Sequence, residues 1–358
     1  MASFKLASWN VEWMHNWFEP EQAVYRTHIE GKPSQGLVAD AAQRVADVIK
    51  EIDADILCIQ EGPKLQTQIQ NFVATHLAGA YTVLPTPSKR DQNVWILYKP
   101  ATFQSAATLE NDTLVQDDLY TSWEVFYWGD SPSLLFSGQV DSHYFYRKPC
   151  VAEFVFGGST FRVINCHTKS KFIQGGQSLW KSTKESDKVK FIKGSLKDRI
   201  KITSEVRALR NHLDHLLAGN PLGNVIVVGD LNDGPGRDLF ERFYFYHNLV
   251  DVLLGTLMEP DLLLYHVLSY VPETDRYTAV FDDFVEGIDD NKIQLDHILC
   301  SPALARKANG LLYQDVTAKV ERQAWMNHSA IPEDKDDPSF RRADRPSDHR
   351  PLSVQIKT

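Results

Sequence analysis

Cysteine is scarce in this chain, with four residues among 358. Cys58, Cys150, Cys166 and Cys300 stand far apart, and each lies in or beside an apolar run. This placement argues against a disulfide framework and against a zinc site built on paired cysteines, and it predicts four small buried side chains. It is also typical of a reducing compartment, so we expect a cytoplasmic protein.

Long apolar runs and an excess of positive charge are absent as well. No run approaches the roughly 20 apolar residues of a membrane-spanning helix. The first residues pass into a strand-like pattern without the apolar core of a secretory signal. The formal net charge of −9 argues against a general attraction to polyanions, whereas an apolar content of 43% excludes intrinsic disorder. We expect a folded protein with neither a membrane span nor a secretory signal.

The chain does contain many short apolar runs rich in β-branched residues, which predict strands. They cover residues 4–11, 56–60, 94–98, 150–156, 161–165, 224–229, 294–300 and 352–356. Apolar residues spaced by three and four predict helices over 37–52 and 203–217. Strands that alternate partly with helices and partly with one another indicate an α/β (α+β) protein with layered, mixed sheets.

The strand pattern continues to the last residues without a linker or an internal repeat. We therefore expect a single domain over residues 1–358. Three segments of unusual composition would be surface insertions, at about 112–146, 169–201 and 272–291. The aromatic run 119–128 in the first of them favours the packed root of a hairpin, with a stacking platform or a lipid-facing wedge as alternatives.

Polar side chains stand where the predicted strands end. They are Asn10, Glu12, Glu61, Asn165, His167, Asp230, Asn232, Asp233, Asp296, His297, Asp348 and His349. Because several strand ends converge at one edge of a sheet, these side chains should share a cleft. Crowded carboxylates need protons or a cation, and oxygen ligands suit Mg²⁺, with Mn²⁺ or Ca²⁺ as alternatives. Any single member is more typical of a cap or turn, so the prediction of a site for metal-assisted phosphoester hydrolysis depends on the whole set.

In this order the set resembles the endonuclease/exonuclease/phosphatase superfamily, which has the deoxyribonuclease-I-like fold. The matching motifs are Ser-Trp-Asn-Val-Glu at 8–12, Ile-Gln-Glu at 59–61, Asn-Cys-His-Thr at 165–168, Gly-Asp-Leu-Asn at 229–232, Leu-Asp-His at 295–297 and Ser-Asp-His at 347–349. Each motif is short, and the resemblance rests on all six in the family's order. It implies a four-layered α/β/β/α sandwich of two mixed β-sheets flanked by helices, and Mg²⁺-dependent hydrolysis of phosphoester bonds.

The resemblance also implies a set of metal ligands and of residues that contact phosphate. Glu61 would be the principal metal ligand, and Asn10, Glu12 and Asp348 would contribute to the same site. Arg147 resembles an arginine that grips phosphate oxygens, with a surface arginine beside a turn as the alternative.

Further residues would carry the reaction. Asp230 would orient or deprotonate the attacking water, and Asn232 would hold phosphate or a second metal. His349 would contact the scissile phosphate, with Asp296 fixing its tautomer and favouring its protonated form. His167 would donate to phosphate or to the leaving oxygen. We interpret His297, which follows Asp296, as a buried and hydrogen-bonded neighbour.

The positive charge of one segment helps to predict the class of substrate. Within 169–201, nine lysines and one arginine stand against three acidic residues. The segment begins two residues after His167, so it predicts a flexible basic arm at the edge of the cleft, with Lys169 and Lys171 close to phosphate. Such an arm would follow a polyanionic backbone, which favours nucleic acid and, as the expected substrate, DNA. The alternative is a solvated lysine-rich loop.

Other functions stay open at this point. One is a phosphatase or phosphodiesterase acting on a small or lipid-linked phosphate, because the superfamily's fold serves many substrates. Another is a catalytically inactive scaffold that binds phosphate or a partner. No feature of the sequence indicates an obligate protein partner.

Overall fold

Two six-stranded sheets dominate the structure, a computed structural model that describes residues 2–30, 34–88, 90–128, 138–245 and 248–358. The strands are β1 (Ser3–Asn10), β2 (Ile56–Gly62), β3 (Thr82–Val83), β4 (Asn93–Tyr98), β5 (Ser105–Thr108), β6 (Trp123–Trp128), β7 (Gly138–His143), β8 (Cys150–Phe156), β9 (Ser159–His167), β10 (Asn224–Asp230), β11 (Tyr265–His266), β12 (Ala279–Asp283), β13 (Ile288–Ile293), β14 (Asp296–Cys300), β15 (Leu312–Val320) and β16 (Leu352–Lys357). The helices are α1 (Val38–Ile52), α2 (Gln66–His76), α3 (Thr113–Val115), α4 (Gly176–Trp180), α5 (Glu185–Gly219), α6 (Leu249–Leu254), α7 (Pro302–Arg306) and α8 (Arg322–Asn327).

Both sheets are mixed. The first has the strand order β15–β16–β1–β2–β4–β3, and the second has the order β11–β14–β10–β9–β8–β5. Each contains one parallel pair whose connection includes a helix, with α1 between β1 and β2 and α5 between β9 and β10. The other pairs in the two sheets are antiparallel. Parallel neighbours need such a crossover, and the crossover helix covers the outer face of its sheet.

The two sheets pack face to face over a shared apolar core. Successive side chains on a strand point to opposite faces, so Phe4 and Leu6 of β1 enter this core, whereas Ala7 and Trp9 face the helices outside. The ring of Phe4 stacks on that of Phe161 from the second sheet at a centroid distance of 4.9 Å. The first sheet packs against α1, α2 and α8, and the second against α5 and α6. This is the four-layered α/β/β/α sandwich that the family resemblance implies.

The scarce cysteines and the lack of long apolar runs both have counterparts in the structure. All four cysteines are buried and free, which confirms their predicted place in the apolar interior. In the described ranges, no helix is both long and apolar enough to cross a membrane.

The aromatic insertion packs at its root, as expected. It contains α3, β6 and β7, and the side chains of Leu119, Val125 and Tyr127 are buried, whereas Phe126 is exposed. Residues 129–137, which the predicted insertion includes, lie outside the described residues. The acidic insertion contains the hairpin of β12 and β13.

The basic segment differs from the prediction, because it forms helices rather than a flexible arm. It contains α4 and the first half of α5. Gly176 is buried against Phe191, and Gly194 lies inside α5, so neither glycine provides a flexible joint. The ring of Phe191 packs on those of Phe240 and Phe284, with centroids 6.0 and 5.7 Å apart. These contacts hold the first half of α5 against the loops that follow β10 and β12.

Two cations of this segment are engaged by a group of carboxylates. The Lys171 ammonium forms ion pairs with Asp233, Asp238 and Glu241, and Arg199 pairs with Asp238. Burial alone would raise the pKa of the Asp238 carboxyl, but the charges of Lys171 and Arg199 outweigh burial and lower it from 3.8 to about 2. The group joins the start of the basic segment to the loop after β10.

The depressed pKa of Asp238 gives a prediction about acid stability. A carboxyl whose pKa is lower in the folded state stabilises the protein above its unfolded pKa and loses that contribution as the pH falls through its folded pKa. From 3.8 and about 2, the contribution is about 2 kcal/mol at neutral pH and about 1 kcal/mol at pH 3. Urea unfolding of wild type and Asp238→Asn should therefore show a gap in unfolding free energy that narrows on acidification. A gap that is independent of pH between 7 and 3 would contradict the ion pairing.

Candidate active site

The predicted polar residues meet at one rim of the sandwich because of how the strands are paired. Asp230 ends β10, opposite His167 at the end of β9 and Asp296 at the start of β14. Asn10 ends β1 beside β2, whose last residues include Glu61. His349 precedes β16, which is antiparallel to β1. Each sheet thus contributes half of the site.

Buried amides connect the two halves. The Gln60 amide donates to the Asn165 side-chain oxygen at 2.6 Å, and the Asn165 amide donates to the carbonyls of Ile59 and Trp95 at 3.1 and 2.9 Å. At the rim, the Asn10 amide lies 2.9 Å from the Asp230 carboxylate and 3.4 Å from the Glu61 carboxylate. Asn10 therefore bridges the acidic residues of the two sheets.

Asp230 is at the centre of the site. Its side chain is almost completely buried, and its Oδ2 atom lies 3.5 Å from His167 Nε2 and 3.9 Å from His349 Nε2. Burial raises the pKa of Asp230 to about 6; the positive charge of His349 opposes this shift, and the negative charge of Asp296 adds to it. Asp230 is therefore a base that is ionised near neutral pH and can still accept a proton.

His349 and Asp296 form the predicted pair. The Nδ1–H group of His349 donates to Asp296 Oδ2 at 2.7 Å. Burial alone would lower the pKa of His349, but the carboxylates of Asp296, Asp230 and Asp348 outweigh it and raise the pKa well above its ordinary value. His349 is thus an imidazolium whose Nε2–H group points toward the carboxylates of the rim.

His167 has the opposite protonation state. Burial, together with the charges of Arg147 and His349, lowers its pKa well below the ordinary value. Its Nδ1 atom is buried and has no hydrogen-bond partner among the described residues. The site therefore contains a neutral imidazole and a charged one on either side of Asp230.

Glu61 and Asp348 are suited to hold a divalent cation. Glu61 accepts a hydrogen bond from the Trp13 backbone N–H at 2.8 Å. Burial and the nearby charge of Asp348 raise the pKa of Glu61 to about 7. Two carboxylates that crowd in this way bury excess negative charge, which a cation would neutralise. The oxygen donors fit Mg²⁺ or a similar hard ion.

Asp230, Asp296 and His349 also lie close enough for their ligand atoms to fall within 4.8 Å of one another. However, the Nδ1 atom of His349 is already hydrogen-bonded to Asp296. The hydrogen bond favours proton handling by these three residues, and the crowded carboxylates of Glu61 and Asp348 remain the predicted place for the cation.

The structure does not support Glu12 as a metal ligand. Its carboxylate accepts hydrogen bonds from Arg345 at 2.8 and 3.1 Å and lies 3.4 Å from Arg342. It also accepts the backbone N–H of Asp348 at 2.8 Å. Since these donors occupy both oxygens, Glu12 positions Asp348 and neutralises Arg342 and Arg345 in this arrangement.

Asn232 and Arg147 lie at the rim, and both bind protein groups. The Asn232 amide donates to the Thr168 carbonyl at 3.0 Å. The Arg147 guanidinium donates to the carbonyls of His167 and Thr168 at 3.3 and 2.8 Å and to Gln92 at 2.7 Å. Three of the five N–H groups of this arginine are thus occupied, and its charge reaches His167 and Glu61.

The two lysines expected near phosphate are engaged elsewhere. Lys171 lies among the three carboxylates described above, and Lys169 pairs with Asp198 at 3.2 Å. The present arrangement therefore does not support a phosphate contact for either of them. His297, in contrast, is buried; its Nε2–H donates to the Asp233 carbonyl at 2.8 Å, and its Nδ1 atom is hydrogen-bonded to His266 Nε2 at 2.9 Å, which agrees with its predicted role as a hydrogen-bonded neighbour.

Sequence reasoning missed several residues that shape the site. Arg342 and Arg345, which pair with Glu12, stand shortly before the Ser-Asp-His motif, and an arginine pair there was the available signal. Trp13, whose backbone N–H holds Glu61, gave no signal, because any residue other than proline can supply that group.

Comparison with known proteins agrees with this geometry. The model of the Endonuclease/Exonuclease/phosphatase family matches residues 7–349. No curated protein matches the chain.

Several solved structures are similar to this one. TDP2 of D. rerio, crystallised with a single-strand DNA product, is 12% identical with 100% of both chains covered and a TM-score of 0.50. TDP2 of Caenorhabditis elegans is 14% identical over 100% of this chain and 75% of that one, with a TM-score of 0.50. The mannosyl-6-phosphatase Bt3783 of Bacteroides thetaiotaomicron is 15% identical over 99% of this chain and 100% of that one, with a TM-score of 0.48. At such identities the likeness concerns the fold alone.

The family match spans nearly the whole chain, and it coincides with two facing sheets whose shared rim carries acidic and imidazole side chains. The chain belongs to the endonuclease/exonuclease/phosphatase family of metal-dependent phosphoester hydrolases.

Proposed function

We propose that the protein is a divalent-metal-dependent phosphodiesterase that hydrolyses nucleic acid, with DNA as the expected substrate. The observation that carries the proposal is the placement of Asp230 between a neutral His167 and a charged His349, beside the Glu61 and Asp348 carboxylates. This arrangement provides a base, hydrogen-bond donors of two kinds and a cation site within one buried cleft.

Glu61 and Asp348 would hold the cation, with Asn10 beside them. When bound, Mg²⁺ would neutralise the phosphate oxygens and so favour attack on phosphorus. Protein side chains would carry out the proton transfers and hydrogen bonding of the reaction.

Asp230 would orient a water molecule and take its proton as the new oxygen–phosphorus bond forms. Its pKa of about 6 leaves it ionised at neutral pH. His349 would donate its Nε2–H to a phosphate oxygen, because Asp296 keeps the ring charged and fixed. His167 and Asn232 would complete the polar surface around the phosphate as the opposite phosphorus–oxygen bond breaks.

The position of α5 beside the rim favours a polymeric substrate. This helix runs antiparallel to β10, and Glu205 accepts the backbone N–H of Lys169, just after the end of β9, at 2.6 Å. Glu205 is therefore level with the rim. At a rise of about 1.5 Å per residue, the part of α5 that precedes it extends roughly 30 Å beyond the rim.

The overhanging part of α5 and the turn before it present a row of cations to solvent. The exposed members are Lys181, Lys184, Lys188, Lys190, Lys193 and Lys197. Lys197 also pairs with Asp141 at 3.6 Å. A positive surface of this length next to a phosphoester site suits a polymer with many phosphates, whereas a small phosphate would contact only the rim.

Substitution at the reacting centre tests the roles of Asp230 and His349. Asp230→Asn and His349→Gln should each lower kcat by about 100- to 10,000-fold on bis-p-nitrophenyl phosphate and on oligonucleotides, because each removes a proton-transfer or charge-stabilising group. Circular dichroism and thermal unfolding should show that both variants stay folded. Activity close to wild type in either variant would contradict its role.

A comparison of Glu61→Gln with Glu12→Gln tests which glutamate binds the cation. Glu61→Gln should raise the Mg²⁺ concentration needed for half-maximal activity while leaving the unfolding free energy in EDTA unchanged or higher. Glu12→Gln should lower that free energy by about 3 kcal/mol, because it leaves buried arginines without a carboxylate. Urea unfolding and metal titrations of activity measure both effects, and a reversed pattern would restore Glu12 as the ligand.

Replacement of lysines on α5 tests the substrate class. Lys188→Ala with Lys190→Ala should raise KM for a long oligonucleotide and reduce the slope of log KM against log salt by about two, with little change on bis-p-nitrophenyl phosphate. The control variant replaces two exposed lysines elsewhere, Lys50 and Lys307. Equal effects on both substrates, or equal effects of both variants, would remove the argument for nucleic acid.

A further inference from the structure

An exposed aromatic surface lies beside the active site and has no part in the reaction described above. It consists of Tyr144, Tyr146 and Arg90, and we call it the stacking platform. The Arg90 guanidinium carbon lies 4.9 Å from the ring centroid of Tyr146 and 5.7 Å from that of Tyr144. The rings are 43% and 45% exposed, although large aromatic side chains are normally buried.

Local backbone structure explains why both rings face solvent. Phe145, between the two tyrosines, is buried and belongs to the core under α5. Burial alternates along this segment after β7, with Phe145 and Arg147 buried and Tyr144 and Tyr146 exposed, so the anchoring of Phe145 and Arg147 leaves both tyrosines facing outward. The platform is therefore a consequence of how this segment is anchored.

A single arginine holds the parts of the platform together. Arg147 follows Tyr146 directly, and its guanidinium donates to the side chain of Gln92, two residues after Arg90, at 2.7 Å. The two segments that contribute to the platform are thus joined by a side-chain hydrogen bond. A preformed surface of this kind loses little conformational freedom when a ligand binds.

The same arginine places the platform next to the reacting residues. Arg147 also donates to the carbonyls of His167 and Thr168 at 3.3 and 2.8 Å. His167 in turn lies 3.5 Å from Asp230. Tyr146 is therefore one residue away from a group that contacts the catalytic rim.

We propose that the stacking platform binds an unpaired nucleobase next to the scissile phosphate, so that the enzyme prefers single-stranded nucleic acid. This inference rests on the proposed function and specifies the substrate of the same site. An exposed tyrosine ring and a planar guanidinium both stack on nucleobases of any sequence. Among the described residues, Arg90 pairs with no carboxylate, so its charge also attracts the phosphate backbone.

The platform favours single strands over duplexes for a physical reason. In a duplex the faces of the bases are covered by their stacked neighbours, and presenting one to a protein ring requires unstacking it at a cost of a few kcal/mol. A single strand or a frayed end offers bases whose faces are already accessible. Discrimination would therefore come from stacking, without hydrogen bonds to a particular base.

Steady-state kinetics of ring-deletion variants test the inference. Tyr146→Ala and Tyr144→Ala should each raise KM for a single-stranded oligonucleotide by about 5- to 100-fold, the range expected for one lost base stack. kcat on this substrate and both constants on bis-p-nitrophenyl phosphate should stay within about twofold of wild type. Tyr146→Phe, which keeps the ring, should retain wild-type KM. The control is Tyr270→Ala, because Tyr270 is 76% exposed and lies in the turn after β11.

An abasic substrate supplies a readout that a merely structural role would not change. One abasic nucleotide is moved along the strand beside the cleavage position. At one position, the abasic nucleotide should raise KM of the wild type by a factor similar to that of Tyr146→Ala on the intact strand. The same abasic substrate should not raise KM of Tyr146→Ala any further. Fluorescence anisotropy of the same labelled strands, with Asp230→Asn as the background to prevent cleavage, should show the same loss of affinity.

The outcomes separate failure of this inference from failure of the proposed function. If the wild type cleaves nucleic acid but Tyr146→Ala, Tyr144→Ala and Tyr270→Ala all keep wild-type KM, the platform is overturned and the function stands. Parallel losses on bis-p-nitrophenyl phosphate, or equal losses on single and double strands, also overturn the platform. If the wild type hydrolyses bis-p-nitrophenyl phosphate but neither cleaves nor binds nucleic acid, both proposals are overturned.

Discussion

The site depends on buried amide hydrogen bonds between the sheets, chief among them the bond from Gln60 to Asn165 at 2.6 Å. Both side chains are fully buried, so an unmatched amide on either side would carry the cost of desolvation with no compensation. A shift of one sheet relative to the other would break this hydrogen bond and leave buried amide groups without a partner. Gln60 directly precedes Glu61, and Asn165 stands two residues before His167. The amides thereby bring the acidic residue of one sheet to the imidazole of the other.

Whether a carboxylate near the rim is available for catalysis or cation binding depends on the side chains that it contacts, more than on whether it is Asp or Glu. Glu12 is saturated by arginines, and Asp238 by Lys171 and Arg199, so both serve the fold. Among the described residues, neither Glu61 nor Asp230 pairs with a lysine or an arginine; burial raises the pKa of each, and for Asp230 this outweighs the charge of His349 at 3.9 Å. Such uncompensated groups are costly in an isolated fold, and this is why they mark the place where a cation, a proton or a phosphate is handled.

The sequence pattern predicts the mixed α/β fold and the sheet edge at which polar residues gather, for a physical reason. Buried strands need apolar runs, and the polar residue after each run must lie at a sheet edge, as Asp230 and His167 do. It also predicts the pairing of His349 with Asp296, although this came from the family resemblance and not from spacing.

What the sequence does not predict depends on contacts between distant segments. Glu12 belongs to a family motif, and only the fold brings Arg342 and Arg345 to it. Lys171 belongs to a basic segment, and only the fold surrounds it with carboxylates from the loop after β10. The helical state of that segment escaped prediction because its apolar contacts, such as Phe191 with Phe284, are made with residues far along the chain.

In the proposed function, chemistry and selectivity come from different parts of the fold, the rim of the sheets and the first half of α5. From Ile202 onward the helix packs on its sheet, whereas Phe191 near its start rests on aromatic rings from the loops after β10 and β12. Changes in those loops can tilt or shorten the overhang while the strands that carry the reacting groups stay in place. Changes confined to these loops would thus alter which polymers the protein binds without moving the strands that carry the reacting groups.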